Sequence, residues 1–173
     1  RVFVNELERI HSHLLWLGVA AHEIGFDTLF YYVWRDREIV MDLLEMVSGN
    51  RVNYAMPTIG GVRRDILESN FPEYHKMLDK LAERTAFYKK ICASEKTVLD
   101  RAAGVGYLSK EEMIRLSGVG PNARASDVDY DVRRDHPYLV YDEIPLNGIT
   151  YDSGDVLANV LVRVDETTES ENI

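Results

Sequence analysis

Only one cysteine, Cys92, occurs in the 173 residues, so no disulfide can form within the chain and no site built from several thiolates can form from this segment alone. Five prolines are scattered rather than clustered, and no tract is of low complexity or repeated. The longest apolar runs, such as Leu14–Ala21, fall far short of the roughly 20 residues that a membrane-spanning helix needs. Basic residues are also short: 20 lysines and arginines face 29 acids, a net charge of −9. That balance argues against a nucleic-acid partner, which requires a concentrated basic face.

What is present is helical periodicity. Leu7, Ile10, Leu14, Leu17, Ala21 and Ile24 recur at steps of three and four, predicting a first helix over 2–24 that Gly25 stops. Asp27 or Thr28 is expected to cap a second helix, whose inner face carries Phe30, Val33, Arg37, Val40, Leu44 and Val47 and which Ser48-Gly49-Asn50 ends. Pro57 and Gly60-Gly61 make residues 51–61 extended or irregular. Asn70 and Pro72 announce a third helix to about Ser94, with Tyr74, Leu78, Leu81, Thr85, Tyr88 and Cys92 inward. A short helix over 97–103 and another opened by the Ser109–Glu112 capping box follow. Between Gly118 and Gly148 the periodicity disappears. A last helix starts near Ser153 with Leu157, Val160, Leu161 and Val164 inward and a polar, fraying end. The fold class is all-α: three or four long helices in a bundle, joined by irregular Gly-, Pro- and Arg-rich loops.

Three sets of residues could carry chemistry. Glu8-x-x-His11 matches half of a carboxylate-bridged di-iron motif, but no second copy exists. His11 and His13 point about 200° apart on a helix and cannot share a metal, so a hydrogen-bonded polar face is the simpler reading. The second set is His22-Glu23 with Asp27, at the break between the first two helices. A carboxylate beside a histidine there suits proton transfer; a salt bridge of Glu23 to Arg35, Arg37 or Arg63 is the structural alternative. The third set runs from Gly118 through Arg124 and Ser126 to Asp131, Arg133 and Tyr138, where arginine forks could hold a carboxylate or phosphate or simply cross-link to aspartates.

The order of Glu8-Arg-Ile-x-x-His13-Leu-Leu, Glu23-Ile-Gly25, Arg35-x-Arg37-Glu38, Ser48-Gly49-x-Arg51, Gly60-Gly61-Val62, Arg124, Asp131-x-Arg133 and Pro137-Tyr138-x-x-Tyr141-Asp142 resembles one family. Its two branches are the large subunits of energy-converting, membrane-bound [NiFe] hydrogenases and the quinone-site 49 kDa subunit of respiratory complex I, an NADH–quinone oxidoreductase. The resemblance implies that residues 1–173 are the central helical domain of a larger catalytic subunit, cut from it at both ends. It implies a nickel–iron centre held by Cys-x-x-Cys pairs outside this segment, an iron–sulfur cluster in a small partner subunit, and membrane subunits that attach the complex to the cytoplasmic membrane from the cytoplasmic side. The isolated segment would hold no cofactor, show no activity and tend to dimerise through faces meant for partners.

Within that resemblance, Glu23 and His22 are the proton-handling candidates. Arg51, Asn53, Arg63, Arg124, Asp131 and Arg133 would line or brace the route toward the partner's cluster. Glu23 stands where quinone-branch members carry an aspartate, and Asn53 where they carry a histidine. Gly60-Gly-Val-Arg-Arg-Asp65 and Gly120-Pro-x-x-Arg124-Ala-Ser126 look more like the hydrogenases, so that branch is the expected one and the quinone-site subunit the alternative.

Overall fold

The computed structural model describes all residues, 1–173. Four long helices make the body: α1 (Val2–Glu23), α2 (Asp27–Ser48), α3 (Phe71–Ser94) and α8 (Val156–Asn172). Between α2 and α3 lies a two-stranded antiparallel hairpin, β1 (Pro57–Thr58) and β2 (Gly61–Val62). Four short helices connect α3 to α8: α4 (Lys96–Ala102), α5 (Lys110–Arg115), α6 (Gly120–Ala125) and α7 (Val132–Asp135). The bundle expected from periodicity is therefore present, with the glycine and proline segment folded as a small hairpin.

The inward stripes meet in one core. Leu7, Ile10, Leu14 and Leu17 of α1 pack with Val33, Val40 and Leu44 of α2, Leu81, Tyr88 and Cys92 of α3, and Val160 and Val164 of α8. Cys92 is fully buried, and burial alone pushes its thiol up to about 12. It is a packing residue. α1 turns into α2 through Gly25 at φ +78, a left-handed conformation that suits glycine, and Arg101 of α4 donates to the Ile24 carbonyl at the same bend.

Several expected details differ. Neither Asp27 nor Thr28 caps α2: Phe26 occupies that position without a side-chain bond, and Asp27 turns back to His22. Asn70 likewise precedes α3 without capping it. The aperiodic stretch 118–148 is not one loop, because α6, α7 and a 3-10 turn at Tyr141–Glu143 fold inside it. The largest difference is the end of α8. Glu166, Thr167, Glu169 and Ser170 are buried rather than frayed, because α8 is enclosed by α1, α3 and α6 and each of these polar groups finds an internal partner.

Leu81 is wholly buried where α3 meets the core. Leu81→Ala is expected to lower unfolding free energy by about 2–5 kcal/mol, read as a drop in the urea midpoint with an unchanged slope.

Candidate functional site

α1 and α8 run antiparallel, since Glu6 meets Ser170 while His13 meets Glu166. On each helix the polar residues continue the buried stripe, and this places two carboxylates inside the bundle. Glu6 accepts from Arg133 at 2.9 Å, Ser170 at 2.6 Å and Arg9 at 3.2 Å, and Tyr141 adds a short hydroxyl bond. Burial by itself raises a carboxyl pKa, yet Arg9, Ser170, Tyr141 and Arg133 together hold Glu6 below its ordinary value. Arg133 is almost completely buried and also forks onto Asp131, at 3.1 and 2.7 Å, which lowers Asp131 to about 2 against the opposing effect of burial.

One turn further, Glu166 accepts from His13 at 2.8 Å and from Arg124 at 2.5 Å. Burial keeps His13 neutral more strongly than Glu166 favours its charge, so an imidazole N–H donates to an ionised carboxylate. Arg124 also donates to the Tyr130 carbonyl, and Arg163 lies 3.9 Å above the Trp16 ring while donating to Asn122. Both oxygens of Glu6 and both of Glu166 have a donor, whereas Oε2 of Glu171, near the end of α8, is buried without one. Buried charges paired in this way are rigid, so within this chain Arg124, Asp131 and Arg133 act as cross-links that brace the bundle.

The other sequence candidates lie elsewhere. His22 pairs with Asp27 at 2.7 Å, both well exposed, and stacks toward Phe30. Glu23 is exposed and makes no side-chain bond; Arg35 bonds Asp36 and Arg37 bonds His11, so the salt bridge that is the structural alternative for Glu23 is not formed. Arg51 gathers Glu38, Asp42 and Glu45 from one stripe of α2. Asn53 and Arg63 are exposed. Arg1 at the start of α1 donates to Thr58 and Gly61, so the hairpin sits at one end of α1 and the Glu23 bend at the other. The 22 residues of α1 separate them by about 33 Å. Glu23 and Arg63 therefore do not line one pocket, contrary to the single route expected from sequence.

Two residues central to this arrangement, Glu6 and Glu166, are absent from the sequence candidates. A signal existed for Glu6: it precedes His13 by seven residues, two turns, and so shares a face with it. Asp36 escapes in the same way; it accepts from Arg35, Arg84 and Tyr88 and ties α2 to α3. His11, which carries a half-buried bond to Arg37, and Glu8 do not converge with His13, and no three histidine, cysteine or carboxylate groups converge as a metal would need.

The fold is thus a helical bundle with cross-linked charges inside and with Glu23, Arg63 and Arg64 exposed near the helix ends. Residues 23–173 match the family described as respiratory-chain NADH dehydrogenase, 49 Kd subunit, and the chain belongs to that family. It is 42% identical over its whole length to an NADH-quinone oxidoreductase subunit of Rhizobium etli, spanning 43% of that relative. It is 39% identical to NADH-quinone oxidoreductase subunit 4 of Thermus thermophilus, again over its whole length and 42% of the relative. Membrane-bound hydrogenase subunit alpha of Pyrococcus furiosus is 42% identical over 96% of the chain and 40% of its own length. The fold superposes with a TM-score of 0.91 and 30% identity on a chain of an archaeal respiratory membrane complex, the membrane-bound sulfane sulfur reductase, covering 98% of this chain and 46% of that one. The chain thus spans less than half the length of these relatives. Their names are mostly those of NADH-quinone oxidoreductases, which shifts the balance from the hydrogenase branch to the quinone-site alternative.

Two outcomes follow from the interior charges. Arg133→Met strips Glu6 and Asp131 of their shared cation and is expected to cost about 3–5 kcal/mol, measured by chemical denaturation. The second concerns Glu171, which burial raises to about 7. A raised carboxyl contributes stability that is fully present below its unfolded value near 4.5 and lost as pH rises through about 7. Stability should therefore fall between pH 5 and 8, and Glu171→Gln should flatten that slope in urea midpoints taken across the range.

Proposed function

We propose that this chain is the helical centre of the quinone-site subunit of an NADH–quinone oxidoreductase-type complex. The observation that carries the reading is the family match over residues 23–173, which starts at the bend where Glu23 stands exposed and unpaired. A carboxylate left free there can take up a proton and pass it to an acceptor supplied by a neighbouring subunit or by bound quinone, whereas Glu6 and Glu166 in the interior are held by arginine and other donors. His22, held by Asp27, is the adjacent group that would exchange protons with it. Arg51, Asn53 and Arg63, at the far end of α1, would face a different part of the partner.

No helix is long and apolar enough to cross a membrane. In this reading the chain attaches peripherally, through partner subunits on the cytoplasmic side. An iron–sulfur small subunit and membrane subunits are the partners it requires. Exposed Tyr31, Ile59, Leu67, Tyr107, Leu116 and Val119 are apolar surface such partners would cover, and in their absence would favour dimerisation of the isolated chain. These residues do not suit a metal centre of their own: the one thiol is buried and protonated, and no other ligand set converges.

A second reading, the centre of an energy-converting [NiFe] hydrogenase subunit, is favoured by the Pyrococcus relative at 42% identity and by Asn53, which cannot titrate. Its nickel and iron would be held by residues outside this chain.

Glu23→Gln in the assembled complex is expected to lower quinone reduction by about two orders of magnitude, with assembly intact on native gels and with Glu23→Asp restoring turnover. Full activity in the Gln variant would overturn the role of Glu23. Stoichiometric nickel in the purified complex would move the assignment to the hydrogenase branch.

A further inference from the structure

Fourteen arginines occur in this acidic chain, and twelve of them donate to a carboxylate, carbonyl, amide or imidazole acceptor. The two without any such acceptor are neighbours, Arg63 and Arg64, and both line the same cavity of about 300 Å³ between the C-terminus of α2 and the hairpin. Ser48, Tyr54 and Met56 complete its wall. Asp65 follows Arg64 directly in sequence yet bonds neither guanidinium.

The surrounding groups leave these two cations free. Glu38, Asp42 and Glu45, the nearest carboxylates along α2, are already gathered by Arg51. The Ser48 hydroxyl is committed to the Leu44 and Asn50 carbonyls, and the Gly49 N–H caps the Glu45 carbonyl. The negative end of the α2 dipole is thereby partly covered, and its residual half charge is smaller than the two full charges beside it. Glu8 is engaged with Tyr54, which it and, more strongly, burial push up to about 12.

We propose that this cavity is a binding site for a phosphate ester. One guanidinium fork satisfies both oxygens and the single charge of a carboxylate, which would leave the second arginine unpaired. A phosphate monoester carries close to two charges and three acceptor oxygens, enough for both forks. The volume exceeds that of the phosphoryl group, and Met56 with the Tyr54 ring offers a wall for the organic part. The same chemistry occurs in soluble sugar or glycerol phosphates and in the headgroup of an anionic lipid. The inference does not depend on which redox reaction the assembled subunit serves.

The 173-residue chain is titrated with inorganic phosphate, glycerol 3-phosphate and succinate at matched ionic strength, following the amide signals of Arg63 and Arg64. Saturable shifts with glycerol 3-phosphate, weakened about tenfold or more in the Arg63→Gln/Arg64→Gln double variant and unchanged in Arg115→Gln, are expected. Equal affinity for succinate overturns the phosphate assignment. A response that does not saturate, or that survives the double variant, overturns the site. Co-sedimentation with phosphatidic acid vesicles, compared with pure phosphatidylcholine, separates the sources: arginine-dependent sedimentation supports a lipid headgroup, and soluble binding without it supports a free ester.

Discussion

Burial of two carboxylates between α1 and α8 is the constraint on which the remaining structure depends. An ionised Glu6 or Glu166 without partners would cost several kcal/mol in the interior. The chain meets that cost by drawing cations in from elsewhere: Arg133 reaches Glu6 and Arg124 reaches Glu166, both from the aperiodic stretch after residue 118. That stretch cannot lie on the surface as a free loop, because its arginines are fixed inside. α6 and α7 are consequences of the anchoring, and so is the 3-10 turn that delivers the Tyr141 hydroxyl to Glu6. Removing the carboxylates would remove the reason for the connection to fold.

The bundle is legible in the sequence because leucine and valine stripes announce their period without knowledge of their partners. The bounds of α1, α2 and α3 fall within a residue or two of expectation for the same reason. The interior charge network is not legible in this way. A buried glutamate and an exposed one look alike until the cation 127 residues away is placed beside it, as Arg133 is beside Glu6. The tail of α8 is the clearest case. Glu166, Thr167 and Ser170 continue the inward face of Val160 and Val164, but their polarity reads as a fraying end to any argument that scores residues one at a time.

Candidate sites are legible in composition and misplaced in space. Histidine, glutamate and arginine at bends are unusual, as their sequence positions suggest, but grouping them into one route ignores the length of α1. A helix of 22 residues is a spacer. It puts Glu23 at one pole and the Arg51–Arg64 segment at the other, so a single small ligand cannot touch both. Any function that uses both ends needs a partner large enough to reach along the helix, or two separate sites.

Exposure then distinguishes structural from functional charge more sharply than residue type does. Arg124, Arg133 and Arg163 are inside and each is hydrogen-bonded to internal acceptors, so a ligand arriving there would compete with bonds already made. Glu23, Arg63 and Arg64 are outside with none. An acidic chain that has paired twelve arginines internally had carboxylates in surplus, 29 acids against 20 basic residues, with which to pair two more. That it leaves those two free, side by side against a cavity, sets the hairpin end of α1 apart as a surface shaped for an anion that the chain itself does not supply.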